Sequence, residues 1–181
     1  NTYTEPVVIA TVQDGNNPDT PLTARVRNAS GNSFELRLDI PTDNFAPVTS
    51  NSETVNYLVV EAGVWTVGDG RTKIEADIVE DVSRVNCRTC GTWNNGTDVS
   101  YHNAYSVEPV VLHQVMSEND SDWITSFVSD DTAGGNPPGT DGFQIAMNGA
   151  EVTNTHDPED LGYVVIAADA TDTNGTIDFE T

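Results

Sequence analysis

Short apolar runs separated by turn-forming residues divide this chain into strands and loops. Leu22, Ala24 and Val26 alternate with Thr23, Arg25 and Arg27, the two-residue period of a half-buried strand. Phe34, Leu36 and Leu38 take up the same period after the turn Ala29-Ser30-Gly31-Asn32. Leu22 to Asn28 and Phe34 to Ile40 are therefore expected to form a hairpin. Further strands are expected at Tyr3 to Gln13, Val55 to Val60, Val64 to Val67, Val99 to Ser106, Trp123 to Val128, Phe143 to Met147 and Leu161 to Ala167. Lys73 to Val85 fits two periods. Ile74, Ala76 and Ile78 alternate as in a strand, whereas Ile74, Ile78 and Val82 fit one face of a helix. The strand reading agrees with the rest of the chain.

The pattern also occurs twice. Glu5-Pro6-Val7-Val8-Ile9 returns as Glu108-Pro109-Val110-Val111-Leu112. Proline suits the first position of a strand, where no ladder donor is needed. Phe34-Glu35-Leu36-Arg37-Leu38 has its counterpart in Phe143-Gln144-Ile145-Ala146-Met147. Glu53 stands four residues before Tyr57, and Glu159 four before Tyr163. Three landmarks in one order, recurring after roughly 100 residues, point to a duplicated unit the size of a small domain. The expected organisation is all-β: two tandem antiparallel β-sandwiches, at residues 1–85 and 86–181. The tail Gly175 to Glu180 alternates again, where Arg71 to Ala76 stands after the first copy. It reads as the start of another unit, or as a strand that completes this unit or a neighbour.

Charge narrows the partners. Of 181 residues, 29 are Asp or Glu and 7 are Lys or Arg, for a formal charge of −22. A field of that size repels nucleic acid and anionic membranes, so neither is an expected partner. Lys73 is the only lysine. Such a surface suits high salt, where self-repulsion is screened. No run is long enough for a membrane span. The chain begins at Asn1, which reads as a processed protein or a piece of a longer one. Sequons at Asn28, Asn95, Asn119 and Asn174 agree with an extracellular or cell-surface location.

Pro6-Val7-Val8, then Ala24-Arg25, then Phe34, then a closing strand from Tyr57 to the acidic Glu61, resembles the H-type lectin domain of snail agglutinins. The second copy is similar through Pro109-Val110-Val111, Phe143 and Tyr163 to Ile166. The resemblance implies a small antiparallel sandwich, often trimeric, that binds N-acetylgalactosamine-type sugars at a subunit edge. Where that family has a sugar-site arginine and a Trp-His pair, this chain has Pro21 and Pro41-Thr42.

Candidate chemistry sits in the loops. His156, Asp157 and Glu159 on one loop offer polar groups to sugar hydroxyls, with Trp123 as an aromatic platform. The alternative is that Pro158 shapes a turn and Glu159 braces it. Calcium is the candidate cofactor, from Asn119, Asp120 and Asp122 or from Asp130 and Asp131, although Asp172-Thr173-Asn174-Gly175 lacks the flanking acids of an EF-hand. Cys87 and Cys90 read most simply as a local disulfide, since a second CxxC for zinc and a βαβ setting for redox chemistry are both missing. No nucleophile stands in a recognisable motif with His102, His113 or His156. The expected function is a non-catalytic, carbohydrate-binding adhesion module with a glycan or cell-surface partner. The alternative is a structural subunit of a filament, surface layer or virion appendage, assembled with its own kind by strand exchange.

Overall fold

The computed structural model describes residues 2–18, 20–40, 51–67, 72–83, 85–86, 96–130, 136–149 and 156–167. Among them there are twelve strands and no helix. The strands are β1 (Pro6–Gln13), β2 (Thr23–Ser30), β3 (Ser33–Asp39), β4 (Thr54–Glu61), β5 (Gly63–Val67), β6 (Thr72–Val82), β7 (Val85–Asn86), β8 (Thr97–Ser100), β9 (Val110–Val115), β10 (Thr125–Ser129), β11 (Gly142–Asn148) and β12 (Glu159–Ile166). No helix among the described residues is long and apolar enough to cross a membrane.

The two halves share one pairing. β1 runs antiparallel to β4, with Val7 opposite Val60, Val8 opposite Val59 and Val12 opposite Val55. β9 runs antiparallel to β12, with Val110 opposite Ile166, Val111 opposite Val165 and Val115 opposite Leu161. With the landmark residues superposed, these registers are identical. A slip of one residue would send every side chain to the other face, so register follows the apolar pattern. Each half also carries a hairpin, β2–β3 and β10–β11. In each, a Phe from the hairpin meets the Tyr of the closing strand edge-on. Phe34 and Tyr57 lie 5.1 Å apart at 70°, and Phe143 and Tyr163 lie 5.2 Å apart at 79°.

The halves are not separate bodies. β5, β6, β12 and β9 form one sheet in that order. Its two faces bury different clusters, because alternate residues point to opposite sides. Leu161, Tyr163 and Val165 join Phe143, Ile145, Met147 and Ile124 on one face. Val164, Ala76 and Met116 join Val7, Val8 and Val26 of the first half on the other. Burial on both faces explains the unbroken apolar run at the end of β12. It also explains Gly162, where a β-carbon would run into Met116 and Val7.

Two readings change in detail. Lys73 to Val85 is strand through Val82, and the alternating period wins because Ile74 and Ala76 face one layer while Glu75 faces the other. β6 precedes the expected boundary between residues 85 and 86, yet it pairs with β12. The strand expected from Val99 to Ser106 ends at Ser100. There the Glu75 carboxylate accepts the backbone N–H groups of His102 (2.9 Å) and Asn103 (3.0 Å), which turns the chain. Tyr101 and Tyr105 then stack edge-on beside Phe143.

The same aromatic pair is thus sealed in one half and open in the other: Tyr163 is 3% exposed and Tyr57 63%. Phe143→Ala should destabilise the protein by ~3–5 kcal/mol, the range for a buried aromatic, and Tyr57→Ala by under ~1 kcal/mol, as for an exposed side chain. Urea denaturation of both variants measures the difference, and equal losses would refute the asymmetry.

Candidate functional site

The loop that follows β9 closes over the first residue of β12. Pro158 leads into the strand, and Glu159 is fully buried. Its carboxylate accepts the backbone N–H of Asn119 (3.1 and 3.0 Å to its two oxygens) and of Asp120 (3.1 Å), together with the Ser117 hydroxyl. Ser117 Oγ in turn accepts the backbone N–H of Asp160 at 2.7 Å. The Asn119 side chain holds the Pro158 carbonyl at 2.6 Å. The carboxylate is the nucleus around which the loop folds.

The counter-charge comes from the other half. Arg25 of β2, itself 2% exposed, donates Nη2 to Glu159. Its Nε donates to the Ser117 carbonyl (3.1 Å) and its Nη1 to the Asp122 carbonyl (3.0 Å). Asp39 stands 3.6 Å from Nη1. Burial raises the pKa of Asp39, against the pull of Arg37 and Arg25. A buried ion pair is tolerated when its remaining donors and acceptors are filled, and here they are filled by backbone. Further out, Glu118 of the second half joins Arg27 at 2.7 Å and pairs with Arg37 as well. Of these residues, Arg25, Arg27 and Arg37 are on the first hairpin, and Glu118 and Glu159 are in the second half. The network fastens one half to the other.

Glu53 does the same local work in the first half. It accepts the backbone N–H of Gly15 (3.2 Å) and Asn16 (2.8 Å), and the Asn17 amide (2.6 Å). Desolvation pushes its pKa up, but those hydrogen bonds outweigh it and the net shift is downward. No arginine reaches Glu53 among the hydrogen bonds and ion pairs of the described residues.

Of the expected sugar-site residues, His156 and Glu159 lie together inside the fold. His156 is buried, with Nδ1 2.9 Å from the Asp157 carbonyl and Nε2 3.4 Å from the Asp122 carbonyl. It lies 3.8 Å from Glu159. Asp157 is exposed on the same loop, and Trp123 is half-buried. Asp120 accepts the backbone N–H of Asp122 (3.0 Å) and of Asp157 (3.3 Å). The first of these bonds is the main cause of its lowered pKa. Asp122 follows on this loop, whereas Asp130 is at the far end of β10, accepting the Asn136 amide at 3.0 Å. Among the described residues no group of three His, Cys, Asp or Glu is arranged to hold a metal ion. Asp131, Cys87 and Cys90 lie outside the described residues.

A cavity of ≈ 260 Å³ at the seam of the halves had no signal in the sequence. Glu5, Asp77, His102 and Tyr163 line it, together with Glu75. Glu75 is 1% exposed, and its Oε1 has no hydrogen-bond partner among the described residues. At the rim Gly63 takes φ 138° and lets the Trp65 indole lie against its backbone. Burial, then neighbouring charge, raises the pKa of Tyr163, while Tyr105 is pushed up to about 12 by burial. Both phenols stay neutral. The alternation of Ile74, Ala76 and Ile78 does not reveal the second layer that buries Glu75.

No family model, curated protein or solved structure matches the chain.

Two predictions follow from these contacts. Arg25→Met leaves Glu159 buried without its counter-charge and should cost about 3–5 kcal/mol. A double-mutant cycle with Glu159→Gln should give a coupling of at least ~1 kcal/mol, and strict additivity would contradict the pairing. The second concerns His113, whose Nδ1 is 2.8 Å from Ser126 Oγ. Burial holds its pKa below the ordinary 6.5. As pH falls through 6.5 the unfolded ring binds a proton before the folded one, so this part of the stability is full at higher pH and drains as pH falls. His113→Gln should flatten the loss of unfolding free energy between about pH 7 and 5 in molar salt. An unchanged slope would show that the ring titrates freely.

Proposed function

We propose that this chain is a non-catalytic building block of an extracellular assembly, joined to its neighbours through sheet edges. One observation carries the reading. β12 is flanked on both sides, by β9 and β6, while β4, in the same register, pairs with β1 alone among the described residues. Tyr57, Leu58, Val64 and Trp65 are exposed along and beside that edge. An open, apolar edge strand is a template for another strand, and proteins that do not use one usually blunt it. The charge of −22 is the complementary control, since it keeps copies apart until salt screens them.

In this reading each copy is an H-type-lectin-like sandwich whose sheet is completed by the strand that follows the previous copy. The identical registers and the repeated Phe–Tyr contact support it. The reading is non-catalytic because the Ser126–His113 contact is sealed, with Ser126 only 7% exposed, and His156 is held between two carbonyls. A filament, surface layer or appendage outside the cell is the setting that fits the sequons and the acidic surface. Glycan binding is the second reading. It is favoured by the seam cavity, where three carboxylates and a tyrosine lie beside the exposed Trp65 ring.

Light scattering in molar sodium chloride tests the first reading. The mean mass should rise with protein concentration and fall toward one copy at low salt. A constant single-copy mass across both series would refute it.

A further inference from the structure

Two glutamates are buried among the described residues, Glu159 and Glu75, and they are built alike up to one point. Each sits on a strand of the central sheet and gathers the backbone N–H groups of two successive loop residues. These are Asn119 and Asp120 at Glu159, and His102 and Asn103 at Glu75. At Glu159 the remaining place is taken by the Arg25 guanidinium. At Glu75 it is not taken. Oε2 accepts both N–H groups and, at 3.4 Å, the Asn103 amide, whereas Oε1 has no partner among the described residues. A buried carboxylate oxygen without a donor is costly, more so than a neutral acceptor.

We propose that the seam cavity beside Glu75 binds a small organic cation: an ammonium group on a short apolar stem, held at Glu75 as the guanidinium is held at Glu159. The site stands apart from the building-block reading. Glu75 is buried and lines the cavity, so a donor for Oε1 can come from that side. Glu5 and Asp77 add two more carboxylates to the lining, and no lysine or arginine among the described residues is part of it. Lys73 donates to the Ala104 carbonyl at 2.7 Å, and Arg25, Arg27 and Arg37 belong to the network around Glu159 and Glu118. Charge of one sign in a low-dielectric wall attracts a cation. A bare metal ion does not suit the site, because no three His, Cys, Asp or Glu among the described residues are arranged to hold one. At ≈ 260 Å³ the space is many times the ~10–15 Å³ that one water needs, and close to the ~300 Å³ at which ligand pockets begin. Ala62, Val64 and Ala76 give the stem an apolar wall. The Trp65 ring stands at the rim, fixed through Nε1 to the Glu61 carbonyl at 3.1 Å.

The test follows amide chemical shifts of the full chain titrated with n-butylammonium chloride in molar sodium chloride, which screens the diffuse pull of the −22 surface. Saturable shifts at Gly63, Asp77 and His102 are expected. n-Butanol, the neutral analogue of the same shape, should bind at least ~tenfold more weakly, and Glu75→Gln should weaken the amine by a similar factor. Asp77→Asn, at a less buried position, should weaken it about threefold, and this variant carries the test if Glu75→Gln does not fold. Glu53→Gln removes the same charge away from the cavity and should change the affinity by less than about twofold. Equal binding of n-butanol, equal weakening by Glu53→Gln and Asp77→Asn, or no saturation at these amides would overturn the proposal. So would calcium or N-acetylgalactosamine shifting the same amides where the amine does not, the sugar result leaving the glycan reading standing.

Discussion

Arg25 and Glu159 form the contact on which the rest of the fold depends. They are 134 residues apart in sequence and both are buried. An unpaired charge in that position would be costly, so the pair demands that first hairpin, second loop and closing strand come together at once. Loop 117–122 is wound on the carboxylate, and the guanidinium holds the loop's carbonyls. Backbone that would otherwise need water is satisfied inside the protein. The pair selects this arrangement more than it adds net stability, because desolvation of both ions offsets much of their attraction.

The apolar layers then settle which surfaces are covered. The central sheet has the first half on one face and the β10–β11 hairpin with β8 on the other. Every closing-strand side chain from Leu161 to Val165 is buried. Tyr57 and Leu58, the counterparts of Tyr163 and Val164, are left in solvent. One pattern of residues thus produces a closed half and an open one. The difference lies in the flanking strand, since the landmark residues are shared.

Much of this was legible in the sequence. The repeated Pro-Val-Val, the Glu-to-Tyr spacing and the two Phe positions are local signals, and each falls at a matching place in both halves. The all-β pattern of the rest of the chain also favoured strand over helix at β6. The failures share a cause. Arg25 reads as the wet face of a hairpin strand because its carboxylate lies far along the chain. The burial of Glu75 has no sequence signal because alternation shows one buried face, and β6 has two. The strand expected to Ser106 stops at Ser100 for the same reason, as the Glu75 carboxylate captures the next two amides. The polar groups of His156 and Glu159 were visible as a cluster, but their burial was not. A loop looks solvated until the arginine that fills it is known.

Hydrogen exchange at β4 tests the central claim most directly. In dilute protein at moderate salt, alternate amides of β4, those facing away from β1, should exchange far faster than any amide of β12. In concentrated protein in molar salt they should become protected, while β12 is unchanged. Equal protection of β4 and β12 in the dilute protein, or no gain on assembly, would mean that the edge is not the place where copies join.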